Sequence, residues 1–137
     1  MTTSDSALPL IAAVITKLKA TSAVTAFVGQ RIYTSVPQPT TFPYIVISVS
    51  SAPFDTSDTM GMQHLVRVQG FSRVSSPAEA LGIRAAVINT LERISAANLP
   101  VTGYTLAYFD KGNLSDIITE DDGITTQSIV EFNAVIM

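Results

Sequence analysis

The chain has 137 residues, 47% of them apolar and 14% charged, with a net charge of −3 and a mean hydropathy of +0.36; that length is one ordinary domain, residues 1–137. The apolar content argues against intrinsic disorder, and 8 basic residues against 11 acidic ones, with no basic run, argue against a general nucleic-acid binder. Zero cysteines exclude disulfides, thiolate metal sites and a cysteine nucleophile, and a single histidine excludes any site needing two imidazoles from one chain.

In chain order, residues 1–6 are polar and lack the basic stretch of a signal peptide. The apolar run 8–18 is broken by Thr16 and Lys17 and is too short to cross hydrocarbon. A soluble protein made in a cytoplasm is the expectation. Ser6 or Asp5 can cap a first helix over 7–19, with Pro9 in its first turn. Leu8, Ile11, Ala12, Ile15 and Leu18 recur at three and four and predict its buried stripe. Thr21 or Ser22 starts a second short helical turn carrying Val24, Phe27 and Val28, which Gly29 stops. Residues 31–33 read as extended, and Pro37 and Pro39 make 34–42 a rigid connector.

Strand-like alternation follows at 44–50, where Ile45, Ile47 and Val49 form one apolar face. A loop is expected over 51–61 and a second strand over 62–73. The faces of that strand are His64, Val66, Val68, Gly70 and Leu65, Arg67, Gln69, Phe71. Ser76, Pro77 and Glu79 read as a capping box opening a helix that runs to about Ser95, with Leu81, Ala85, Ile88 and Leu91 as its stripe. A third strand is predicted over 101–109, a loop over 110–122 and a fourth strand over 124–136. The order helix, strand, strand, helix, strand, strand predicts an α+β two-layer sandwich. It has a four-stranded, mainly antiparallel sheet with two helices on one face. The other face, with Arg67, Gln69, Glu131 and Asn133, is left to solvent or to a neighbouring subunit.

Enzyme templates fail. There is no G-x-S-x-G, no Walker loop and no G-x-G-x-x-G. His64 lies within a strand pattern with no partner fixed by spacing and reads as a structural or surface histidine. Asp116, Glu120, Asp121 and Asp122 lack the spacing of a calcium loop. No catalytic residue, metal or cofactor is expected. Three features remain. Ser and Thr make up 30 of the 137 residues, a neutral surface that is cheap to desolvate in an assembly. Phe54, Met60 and Met62, in or beside the 51–61 loop, are candidate interface residues, with Arg67 and Gln69 on the second strand; the alternative for Phe54 or Met62 is a place in the core. The stretch 110–122 holds Asp110, Asp116, Glu120, Asp121 and Asp122 against Lys111, a local net charge of −4 in a chain whose remainder carries +1.

Val28-Gly29-Gln30-Arg31-Ile32-Tyr33 after an amphipathic helix, then Phe42-Pro43-Tyr44-Ile45-Val46, then His64-Leu65-Val66-Arg67-Val68-Gln69, then a helix opening with Ala78-Glu79-Ala80 form a familiar series. In these segments the chain resembles the tail terminator, or tail completion, proteins of long-tailed bacteriophages and gene transfer agents. The resemblance is good over residues 5–95, and the second half follows it in its strand-loop-strand outline. In packing terms Arg31, Tyr33, Pro43 and Tyr44 are structural anchors: Arg31 for carbonyls where the chain leaves the first helix, the tyrosines as cover for a sheet edge, and Pro43 as a conformational lock. The resemblance implies a homo-oligomeric ring, a hexamer, at the neck end of a virion tail. Such a ring ends the tail tube and joins it to the head connector or stopper protein. Its partners would be its own copies, the tube protein and the connector, with DNA as a non-specific passenger and no membrane. Assembly would take place in the bacterial cytoplasm. The acidic 110–122 stretch would suit the lumen or a tube-facing rim. An assembly adaptor or chaperone-like module, holding a partner strand or helix on the open sheet, is the alternative.

Overall fold

A computed structural model describes residues 6–37, 40–55, 60–74, 77–114, 118–119 and 123–136. The chain opens with helix α1, Ala7–Lys19, and the short helix α2, Ser22–Val28. Gly29 ends α2 at φ 59°, a conformation that costs glycine nothing. The buried stripe of α1 is Leu10, Val14 and Leu18. Of the expected stripe, Leu18 is buried, Ile11 and Ile15 are half-buried, and Ala12 and Leu8 face out, Leu8 with 76% of its surface exposed. Ser6 stands at the cap position of α1, but its hydroxyl makes no cap hydrogen bond; Asp5, the other candidate cap, lies outside the described residues.

The sheet has six strands: β1 (Ile32–Tyr33), β2 (Tyr44–Asp55), β3 (Met60–Ser72), β4 (Leu106–Leu114), β5 (Ile118–Thr119) and β6 (Thr126–Ile136). Their order is β1-β2-β3-β6-β4, with β5 continuing the β4 edge beside β6. All pairs are antiparallel except β1 with β2, so the sheet is mixed and not the four-stranded layout expected. The two extra strands are two residues each, too short for alternation to reveal.

Rows across the sheet separate its faces. Ile45–Gly70–Ser128, Ile47–Val68–Val130, Val49–Val66–Phe132 and Ser51–His64–Ala134 lie on one face. Their apolar members and the helices form one core, in which each fully buried Ile, Leu or Val contributes about 1.5–3 kcal/mol. Val46–Gln69–Ile129, Ser48–Arg67–Glu131 and Ser50–Leu65–Asn133 lie on the other. Helix α3, Ala78–Leu91, covers β3 and β6, while α1 covers β1 and β2. Gly70 lets α3 approach the sheet, since a Cβ there would stand 2.7 Å from Ile83 Cγ2.

Several boundaries differ from expectation. The 51–61 loop is largely strand, because Ser51 to Asp55 pair with His64 to Met60. The third strand begins at Leu106 and not at 101. It runs on to Leu114 through the first five residues of the expected acidic loop, with Asp110 and Lys111 paired to Asn133 and Phe132 of β6. Residues before it form turns, from which Leu99 and Val101 plug the core. The last strand starts at Thr126, and Ile124 is 57% exposed. Helix α3 stops at Leu91, and Arg93 beyond it takes φ 53°. Its buried residues are Ala80, Ile83, Ala86, Val87 and Leu91, while the expected stripe members Leu81 and Ala85 face out. Pro77 holds the cap position; the Glu79 carboxylate instead accepts a 2.8 Å hydrogen bond from Ser72, and Ser76 lies outside the described residues.

Candidate assembly surfaces

Among the described residues, no helix covers the second face of the sheet. At its β1–β2 end the rings of Tyr44 and Phe71 stack at 5.0 Å, flanked by Phe42 at 4.9 Å and Tyr33 at 6.2 Å, each from Tyr44. The Arg73 guanidinium lies 4.2 Å from the Phe42 ring centre. Arg31 donates from Nε to the Pro43 carbonyl at 2.8 Å, so it ties β1 to the start of β2 and not to the end of α1. The Phe42–Pro43 peptide is cis. All four expected anchors, Tyr33, Tyr44 and the hydrogen-bonded Arg31 and Pro43, thus converge on one corner.

The centre of that face is polar but internally matched. Arg67 and Glu131 stand directly opposite, and both Nε and a terminal nitrogen of Arg67 donate to one oxygen of Glu131, at 3.1 and 2.9 Å. Gln69 donates to Gln127 at 3.2 Å. An exposed pair of this kind contributes at most about 1 kcal/mol. Arg67 and Gln69 therefore offer a matched polar surface with half-buried Val46, Leu65, Ile129 and Val135 around them. Of the other proposed contact residues, Met62 is half-buried between Pro53 and Ile136. The backbones of Phe54 and Met60 sit in the β2–β3 ladder, and their side chains lie outside the described residues.

A second surface is apolar. A groove of about 570 Å³ runs along the outer side of α1 between Leu8, Ala12 and Thr16 and the segment carrying Asn98, Pro100 and Thr102. The sequence contained this signal, since α1 is apolar on more than one side.

On the core face, His64 is buried between two hydroxyls. Ser6 Oγ lies 2.8 Å from Nε2 and Ser51 Oγ 2.7 Å from Nδ1. Residues 58 and 13 positions away supply these partners, which spacing alone does not predict. The arrangement joins the start of α1 to β2 and β3, and His64 serves as a buried tie. Among the described residues, no group of three histidine or acidic side chains could hold a metal ion, and no single helix is long and apolar enough to cross a membrane.

Of the acidic stretch, Asp110 lies in β4 and faces Arg93 at 3.6 Å. Lys111 beside it pairs with Glu92. Asp116, Glu120, Asp121 and Asp122 lie outside the described residues.

The sequence profile of the family described as "Tail completion protein gp17" matches residues 12–137, including the half that resembled it only in outline. No curated protein matches the chain. Among solved structures, a chain of the "Virion of native gene transfer agent (GTA) particle" superposes with a TM-score of 0.80 at 22% identity, covering 93% of each chain. At that identity the likeness is one of fold.

Proposed function

The chain belongs to the tail completion protein gp17 family, a structural protein of phage-type tails, and from that premise we propose that it forms a ring, a homohexamer, at the head-proximal end of the tail. The ring ends the tail tube, joins it to the head connector and leaves a channel for DNA. The observation that carries the reading is the layering of the subunit: its helices cover one face of the sheet, while among the described residues no helix lies on the other. Copies related by rotation, each presenting one side to the next, close into a ring when the rotation fits.

The low charge of the chain suits this work. Desolvating Ser and Thr at subunit contacts costs less than desolvating Lys and Glu. A channel wall without a basic run holds DNA weakly, because each retained cation adds affinity. The acidic residues Asp116, Glu120, Asp121 and Asp122 then lie at the lumen or the tube-facing rim.

The test is a particle assembled without this chain. Separate heads and tails, with tubes of uncontrolled length, are expected by electron microscopy, and supplying the chain restores joined particles. Normal particles of normal tail length in its absence would overturn the reading. Joined particles that need the chain but do not contain it would favour the adaptor instead.

A further inference from the structure

We propose that the ring is closed by strand pairing: residues 47–53 of β2 form an antiparallel ladder with β4 of a second copy of this chain. This rests on the ring reading and names the contact that holds it. The Ile45 N–H donates to the Arg31 carbonyl on the β1 side at 3.0 Å. Backbone groups alternate along a strand, so Ile47, Val49 and Ser51 present N–H and C=O to that same side. β1 ends at the level of Val46. Beyond it, among the described residues, no strand pairs with β2 on that side. By the same alternation Pro53 faces outward too, where its missing N–H costs the β2–β3 ladder nothing. Ser48, Ser50, Ser51 and Ala52 are exposed along this edge.

Among the described residues, the opposite edge of the sheet is β4, paired with β6 alone. Two unpaired edges in one subunit are a hazard unless something covers them. They fit each other. β3 runs against β2, β6 against β3 and β4 against β6, so β4 runs opposite to β2. A second copy in the same orientation therefore brings β4 to β2 antiparallel. Their lengths and heights agree as well. Leu106 stands level with Ile136, Met62 and Pro53, and Leu114 stands level with Val130, Val68 and Ile47.

Charge supports the same partner. Residues 6–54 carry Lys17, Lys19 and Arg31 and no acidic residue, and they build α1, β1 and most of β2. Residues 110–122, of which 110–114 lie in β4, carry a net charge of −4 in the sequence. These two stretches of sequence carry opposite charge, which favours association between copies.

Because the chain has no cysteine, engineered pairs report this contact cleanly. Tyr108 stands level with Ala52 on the open face, through Val135 and Gln63. Ala52→Cys combined with Tyr108→Cys tests level pairing, and Ser50→Cys with Tyr108→Cys tests a stagger of two residues. Particles assembled with each variant are treated with a short bis-maleimide and run under denaturing conditions. At least one pair is expected to give a ladder of covalent multimers that ends at the ring size. A control, Ala52→Cys with Asn89→Cys on the exposed side of α3, is expected to stay monomeric. A ring-sized assembly in the particles with no ladder from either pair, or with an equal ladder from the control, overturns the edge pairing and leaves the ring standing. Particles that contain the chain only as a single unpartnered copy overturn both.

Discussion

Ser6, fully buried at the start of α1, has its hydroxyl on the Nε2 of His64. A neutral imidazole donates from one nitrogen and accepts at the other, so one of its two serines accepts and the other donates. Ser6→Ala takes the hydroxyl from Nε2 where water has no access, and is expected to cost about 1–3 kcal/mol. Ser51→Ala acts on the exposed side, where water can substitute, and is expected to cost less. Urea unfolding of the two variants checks this ordering, and equal losses would count against it. Gly70 makes the opposite demand. A Cβ there would meet Ile83 Cγ2 at 2.7 Å and Ser128 Oγ at 3.1 Å, so Gly70→Ala should cost about 1–3 kcal/mol through overpacking. A midpoint equal to that of the parent chain would mean that α3 can shift away freely.

At the level of elements, the strands were far more legible than the faces of the helices. A strand offers only two faces, and in β3 and β6 the charged residues Arg67 and Glu131 mark the outer one. The helix α1 offers apolar residues on several sides. Leu8, Ala12 and Ile15 fit helical spacing as well as Leu10, Val14 and Leu18 do, and only the sheet decides which set is buried. The same ambiguity displaced the stripe of α3. The far end of β2 was illegible for another reason: Ser51, Ala52, Pro53 and Asp55 have the composition of a turn, and ladder pairing with β3 overrides it. Of the candidate contact residues, Arg67 and Gln69 were readable as outward-facing, whereas the Ser6–His64–Ser51 tie depends on folding and leaves no mark in spacing. The unused apolar side of α1 has a consequence. Ala12 is exposed and lines the α1 groove, so Ala12→Glu should change the stability of the isolated chain by no more than about 0.5 kcal/mol. If the groove is a contact in the tail, the same variant should be depleted from assembled particles relative to the parent chain. Full incorporation at unchanged stability would remove the groove from the assembly surfaces.

For the whole molecule, the separation of charge is the feature that packing does not require. Lys17, Lys19 and Arg31 sit in a segment with no acidic residue, and five acids gather in 110–122. A neck ring offers two uses for the acidic stretch, attraction to the basic stretch of the next copy and repulsion of DNA within the channel. Both are electrostatic, and both weaken as salt shortens the screening length, which is about 8 Å at physiological ionic strength. They act at different steps. Changing Asp116, Glu120, Asp121 and Asp122 together to Asn or Gln removes the whole excess and leaves Asp110 balanced by Lys111. If the acids face the neighbouring copy, self-association of the variant falls, and its affinity no longer drops steeply between low and high salt. If they face the channel, rings and joined particles form normally, but DNA delivery into recipient cells falls. Native mass measurement across a salt series and a delivery assay on the same preparation separate the two outcomes. A variant unchanged in both would assign the acids to neither use and make their clustering a matter of solvation alone.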